Sequence, residues 1–299
     1  MRVLVGTDDG LREFDLDGRP GAQHHAGRAV TALGAEYPDV WAILDGSEIW
    51  RSGQQGWVRR GSPDGLRANC IADTRAGYVV GTSEAHLYRV DEGALERVEA
   101  FDRVDGRDTW YTPWGGPPDS RSITEDSDVV LVNVHVGGIV RTLDEGATWD
   151  PTIDVEADVH KVWARDGRVY AACARGLAVS EDRGDSWSMR TDGLHATYCR
   201  GVALCGDTIL VSASAGPGGA RSAVYRGPKD GGPLERCVEG LPGWFDSNID
   251  SACLDAVPED AVAAFGTADG RVFASGDEGS TWSEVTSGLP AIRCVLLMP

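Results

Sequence analysis

Lysine is almost missing from this sequence. Of 28 basic residues only Lys161 and Lys229 are lysines, the rest being arginine, and neither lies in a context suited to Schiff-base chemistry. Positive charge is scarce too: 47 acidic residues leave a net charge of −19. A surface of that sign repels phosphate backbones and anionic lipid heads, so nucleic acid and membrane are excluded as expected partners. Seven cysteines, Cys70, Cys173, Cys199, Cys205, Cys237, Cys253 and Cys294, are odd in number and contain no CxxC pair. That is unlike a secreted disulfide framework, and small buried thiols are expected instead. No apolar run reaches the length of a signal peptide or a membrane span, so the expected location is cytoplasmic. Neither a GxSxG elbow nor a P-loop is present.

What the chain does have is a repeat. Residues 142–149 (TLDEGATW), 180–187 (SEDRGDSW) and 275–282 (SGDEGSTW) share one eight-residue pattern, S/T-x-D-x-G-x-T/S-W, and residues 52–57 (SGQQGW) carry a degenerate copy. The chemistry suits a tight β-hairpin: the carboxylate accepts turn N–H groups, glycine supplies positive φ and tryptophan packs on neighbouring strands. Aligned on these turns, seven apolar inner strands emerge at residues 28–33, 67–72, 121–126, 160–165, 200–205, 250–255 and 293–298, the first six each followed by a β-run ending in glycine. The last of them has no partner after it, and residues 1–18 resemble second and third strands lacking a first. The expected fold is an all-β, seven-bladed β-propeller, a single domain over residues 1–299, whose end blade is shared by residues 1–18 and 291–299. Pairing of the chain ends would remove the free sheet edges that endanger all-β repeats.

The three octapeptides resemble the Asp-box (BNR) repeat superfamily, which includes sialidases, sortilin-type receptors, some glucanases and photosystem II assembly factor propellers. The resemblance implies a propeller and leaves the activity open, because the box is a structural element. The F/Y-R-I-P motif of sialidases is absent, and seven blades exceed the sialidase six. A glycosidase pair of carboxylates has too many candidates for the sequence to choose among.

In a propeller, the loop entering each inner strand shares a face with the loop after the second strand, while the Asp-box hairpin lies on the opposite face. This sorting puts all six histidines on the first face. It also puts Arg28, Arg67, Arg121, His160, Arg200, Asp250 and Arg293 at equivalent positions near the channel mouth. Five guanidiniums there would form an electropositive well for a carboxylate or phosphate. The competing reading pairs each arginine with an acid one blade away, Asp8, Glu84, Asp126 and Asp269 being candidates. Residues 108–119 form an insertion bearing Trp110 and Trp114, which could wall a pocket or plug the propeller top, and Trp244 and Phe245 occupy a comparable loop. His135, His160 and His195, with Arg121 and Arg200, are expected to border the site. The expected ligand is an anionic small molecule or an acidic protein segment. The alternative is a metal-dependent or glycosidase-like enzyme on the same face, with a divalent metal held by His135, His160 and His195.

Overall fold

The computed structural model describes residues 1–299 except Glu92 and Pro113. The chain is a seven-bladed β-propeller: seven four-stranded antiparallel sheets, with 3-10 turns as the helical segments among the described residues. Blade 1 runs Val30–Glu36, Asp39–Leu44, Glu48–Arg51 and Val58–Gly61. Blade 2 runs Ala68–Thr74, Gly77–Thr82, Leu87–Asp91 and Ala94–Arg97. Blades 3 and 4 start from Ser120–Asp126 and Val159–Arg165, blades 5 and 6 from Tyr198–Cys205 and Leu254–Val257. Blade 7 joins the two ends of the chain in the order Ile292–Met298, Arg2–Thr7, Gly10–Asp15, Pro20–His24. The closing pair is antiparallel from Arg2↔Met298 to Thr7↔Ile292, with a bulge between Gly6 and Thr7.

Two boundaries differ from the expected ones by four residues or more. Blade 7 takes a fourth strand at Pro20–His24, beyond residue 18. In blade 6 the inner strand begins at Leu254, because Ser251–Cys253 form a 3-10 turn with Asp250 at its N-terminal end. The chain also groups into two compact units, one of residues 1–31, 172–177 and 189–299, the other of residues 32–171 and 178–188. The first has a core built on Phe245, Phe265, Phe273 and Trp282, the second one built on Phe101, Trp110, Val132 and Trp149.

Second strands end in Gly-Thr at Gly6-Thr7, Gly81-Thr82 and Gly266-Thr267 for a steric reason. A Cβ at Gly6 would collide with Cys294 Sγ and the Val30 carbonyl, one at Gly81 with Cys70 and Ser120, one at Gly266 with Ile292. Inner strands therefore pack directly on glycine backbone. The threonine that follows is buried and turns its hydroxyl onto the hairpin, as in Thr7 Oγ1 donating to the Gly10 carbonyl at 2.9 Å.

The three Asp hairpins are alike in detail. Asp144 accepts from the Thr148 amide at 2.8 Å and hydroxyl at 2.7 Å, and from the Thr142 hydroxyl at 2.8 Å. Asp182 and Asp277 repeat this with Ser186 and Ser180, and with Thr281 and Ser275. Each tryptophan indole donates back to the hairpin glycine carbonyl, Trp149 to Gly146 and Trp282 to Gly279.

Candidate functional site

The arginines at the starts of the inner strands are largely neutralised. Arg67 Nη2 sits 2.9 Å from Asp119 Oδ2 and Arg200 Nε 2.9 Å from Asp250 Oδ1. Arg293 grips Asp8 with both ends of its fork, at 2.7 and 2.8 Å. Asp250 is thus an arginine's partner, and of the four acids expected as partners Asp8 takes that role with Arg293. Bidentate pairing of this kind fixes loops and leaves little positive field for a ligand. At Arg67, Arg200 and Arg293 these pairs match the competing reading, in which an acid balances each arginine. Arg28 and Arg121 are half-buried, and the charge of Arg121 reaches Asp158.

A different group assembles where blade 3 meets blade 4. His135 follows the second strand of blade 3, Val129–Val134, and His160 is the second residue of the inner strand of blade 4. Asn133 Nδ2 donates to the Val159 carbonyl at 2.8 Å, and Ser122 Oγ accepts the Val162 amide at 2.9 Å, so the two strands are tied in register. Between the imidazoles stands Asp158. It terminates the 3-10 turn Val155–Ala157 in the left-handed region, φ 50°, a conformation aspartate tolerates better than most residues. Asp158 Oδ1 lies 3.1 Å from His135 Nε2 and 3.7 Å from His160 Nε2, and the ligand atoms of the three residues all fall within 4.8 Å of one another. Donors bound to one metal at about 2.0–2.2 Å stand roughly 3–4 Å apart, and both carboxylate–imidazole distances fall in that range.

Both rings are deeply buried, His160 fully and His135 to within 3 %. His135 Nδ1 is buried without a hydrogen-bond partner. Burial alone would raise the Asp158 pKa, but the His135 hydrogen bond and the charges of His160, His135 and Arg121 hold it below the usual carboxylate range. An ionised carboxylate beside two imidazoles is a metal-binding donor set.

Trp114, 68 % exposed, stacks on His135 with centroids 5.1 Å apart. Tyr111 reaches from the same loop to Glu156 at 3.2 Å, linking it to the turn that aims Asp158. Pro113, in the middle of this loop, lies outside the described residues. Trp110 does not wall the site: it is buried against Phe101, with the Arg107 guanidinium 4.9 Å from its ring. His195 is not part of the metal-type group either, and Asp158 takes the third position expected for it. His195 Nδ1 is held 2.6 Å from the Tyr225 hydroxyl. His24 contacts Glu13 at 3.2 Å and His86 contacts Asp102 at 2.6 Å. The missed residue had one signal, an acid two positions before His160, although Asp158 lies in the turn before the strand and not on it.

No protein-family model matches the chain, and no curated protein matches it. Solved structures do. A computationally designed protein, Ika8, matches with TM-score 0.63 and 14% identity over 100% of this chain and 88% of that one. The GH74 xyloglucanase from Xanthomonas campestris matches at TM-score 0.64 and 16% identity, covering 93% of this chain but 46% of the enzyme. YCF48 bound to D1 peptide matches at TM-score 0.58 and 14% identity, covering 92% of this chain and 85% of that one. At such identities the likeness is one of fold alone.

Proposed function

We propose that this is a binding propeller that carries a divalent transition metal on His135, Asp158 and His160. The open coordination positions would take the carboxylate or phosphate of an anionic small molecule or of a partner's acidic segment. The observation that carries the reading is the convergence of two buried imidazoles and one ionised carboxylate within 4.8 Å. Two histidines and one carboxylate leave sites free on the metal, which is where an anion or water binds. Trp114, exposed beside His135, supplies a flat apolar wall for the rest of the ligand. A metal-bound water in one open position would make the same centre hydrolytic, the alternative reading, in which Asp158 remains a ligand. The solved complex of YCF48 with D1 peptide supports a protein segment as one form of ligand. The Asp hairpins support grouping the chain with the Asp-box propellers as a single domain, and seven cysteines outside any disulfide support a reducing, cytoplasmic location.

Cobalt(II) titration of the purified, metal-stripped protein tests the centre. About one ion per chain with a visible d–d band is expected, and Asp158→Ala or His160→Ala should weaken binding by about tenfold or more. Absence of stoichiometric uptake by wild type, or uptake by both variants as tight as that of wild type, defeats the proposal.

A further inference from the structure

A second cluster, within residues 189–299, brings two guanidiniums together with no ion-paired acid among the described residues. An isolated antiparallel bridge between Ser222 and Phe245, with amides donating both ways at 2.9 and 2.8 Å, sets Arg221 opposite Asp246 and on the same face as Trp244, diagonally across the bridge. The pairing of Tyr225 with Arg236 brings a second guanidinium to the same ring. Arg221 Cζ lies 4.6 Å from the Trp244 centroid and Arg236 Cζ 4.3 Å. The two charges are therefore no farther apart than the sum of these distances, about a Debye length in physiological salt.

Trp244 also contacts His195, centroids 4.6 Å apart, and His195 stacks on Tyr225 at an interplanar angle of 8°. The Tyr225 oxygen accepts the His195 amide at 3.4 Å and sits 2.6 Å from Nδ1. Both contacts are met when the phenol donates to Nδ1, which leaves the ring proton on Nε2. Burial, and then the Arg221 and Arg236 charges, hold the His195 pKa below its usual value, so the ring is a neutral donor near pH 7.

Among the described residues no carboxylate lies within ion-pair distance of Arg221 or Arg236. Arg236 Nη1 donates to the Gly243 carbonyl at 2.7 Å, and Arg221 is exposed. Elsewhere, Arg67, Arg200 and Arg293 each carry an acid. In a chain of charge −19, two neighbouring arginines left to an indole face are an exception that repulsion penalises. Cation–π contact offsets part of that penalty and neutralises nothing. From this geometry we infer that Arg221 and Arg236, beside Trp244 and His195, form a binding site for a small oxyanion, a carboxylate or a phosphate. The two guanidiniums supply the charge-assisted donors and the indole the floor.

Titrating the metal-stripped protein calorimetrically with inorganic phosphate and with citrate, at constant chloride, tests this. One saturable site per chain is expected for at least one of the two, and the preferred anion identifies the oxyanion class. Arg221→Gln should weaken it by about tenfold at unchanged melting temperature, since the side chain is exposed. Arg236→Gln should do the same. If loss of the Gly243 contact lowers its melting point, Arg221→Gln decides. Removing the metal beforehand takes away the open coordination positions of the metal centre, which separates the two sites. No saturable heat with either anion, or unchanged affinity in Arg221→Gln, overturns the inference.

Discussion

Replacing Asp277 by alanine isolates what the repeated hairpin contributes. The carboxylate accepts from the Thr281 amide at 2.9 Å, the Thr281 hydroxyl at 2.7 Å and the Ser275 hydroxyl at 2.8 Å. At roughly 0.5–1.5 kcal/mol net per hydrogen bond, three would sum to about 3 kcal/mol. The turn is mostly exposed and water can replace some partners, so about 1–2 kcal/mol is the expected loss. With roughly 2.1 cal/mol/K of unfolding entropy per residue, that lowers the melting temperature of a chain this long by about 2–3 °C. Burial would raise the Asp277 pKa, but its bonds to Thr281 and Ser275 hold it below the usual value. The stabilisation is therefore complete above the unfolded carboxylate pKa, about 3.9, and disappears as pH falls through the lower folded value. For Asp182 the bonds from Ser186 and Ser180 bring the pKa down to about 2, which sets the window for its loss at about pH 4 to 2. Paired melts of wild type and Asp277→Ala at pH 7 and at pH 2 measure this. A variant as stable as wild type at pH 7, or a gap that fails to narrow in acid, refutes the reasoning.

Two further outcomes follow from burial. Phe265 is fully buried among Phe245, Phe273 and Trp282, with ring centroids 4.9–5.5 Å away, so Phe265→Ala should cost about 3–5 kcal/mol in urea unfolding. Burial pushes the Cys70 and Cys205 thiols up to about 12 and Cys237 to about 11, and raises Cys199 and Cys294 as well. A thiol reagent should therefore react slowly with the native protein at pH 8 and with all seven cysteines in denaturant; rapid native labelling of several would contradict this.

The architecture was legible because its determinants are local and repeated. An octapeptide that closes a hairpin announces the outer half of a blade, and a β-run ending in glycine announces the inner half, since glycine is what the neighbouring inner strand needs. Asp250 went astray for the opposite reason. Residues 250–253 carry the apolar pattern of a strand start, yet local hydrogen bonding, with the Cys253 amide donating to the Asp250 carbonyl at 2.9 Å, holds them in a 3-10 turn. Periodicity does not separate those outcomes over four residues.

Of the proposed site, only the placement of its loops on one face was legible. Sorting loops by their place in the blade correctly associated His135 with His160, although 25 positions separate them in the chain, because the topology brings those two loops together. Charge partners obey no such rule. Arg67 meets Asp119, 52 residues on, inside an insertion that no repeat predicts, and the insertion also turns Trp110 inward while leaving Trp114 outside. Composition misled in the same direction: arginines read as a positive well are cancelled by acids that the net charge had already shown to be in excess. An excess of acid makes a bare arginine pair the rarer finding. Arg221 and Arg236 emerge on that ground, from a hairpin lacking the octapeptide altogether, where the repeat offered no register by which to notice them.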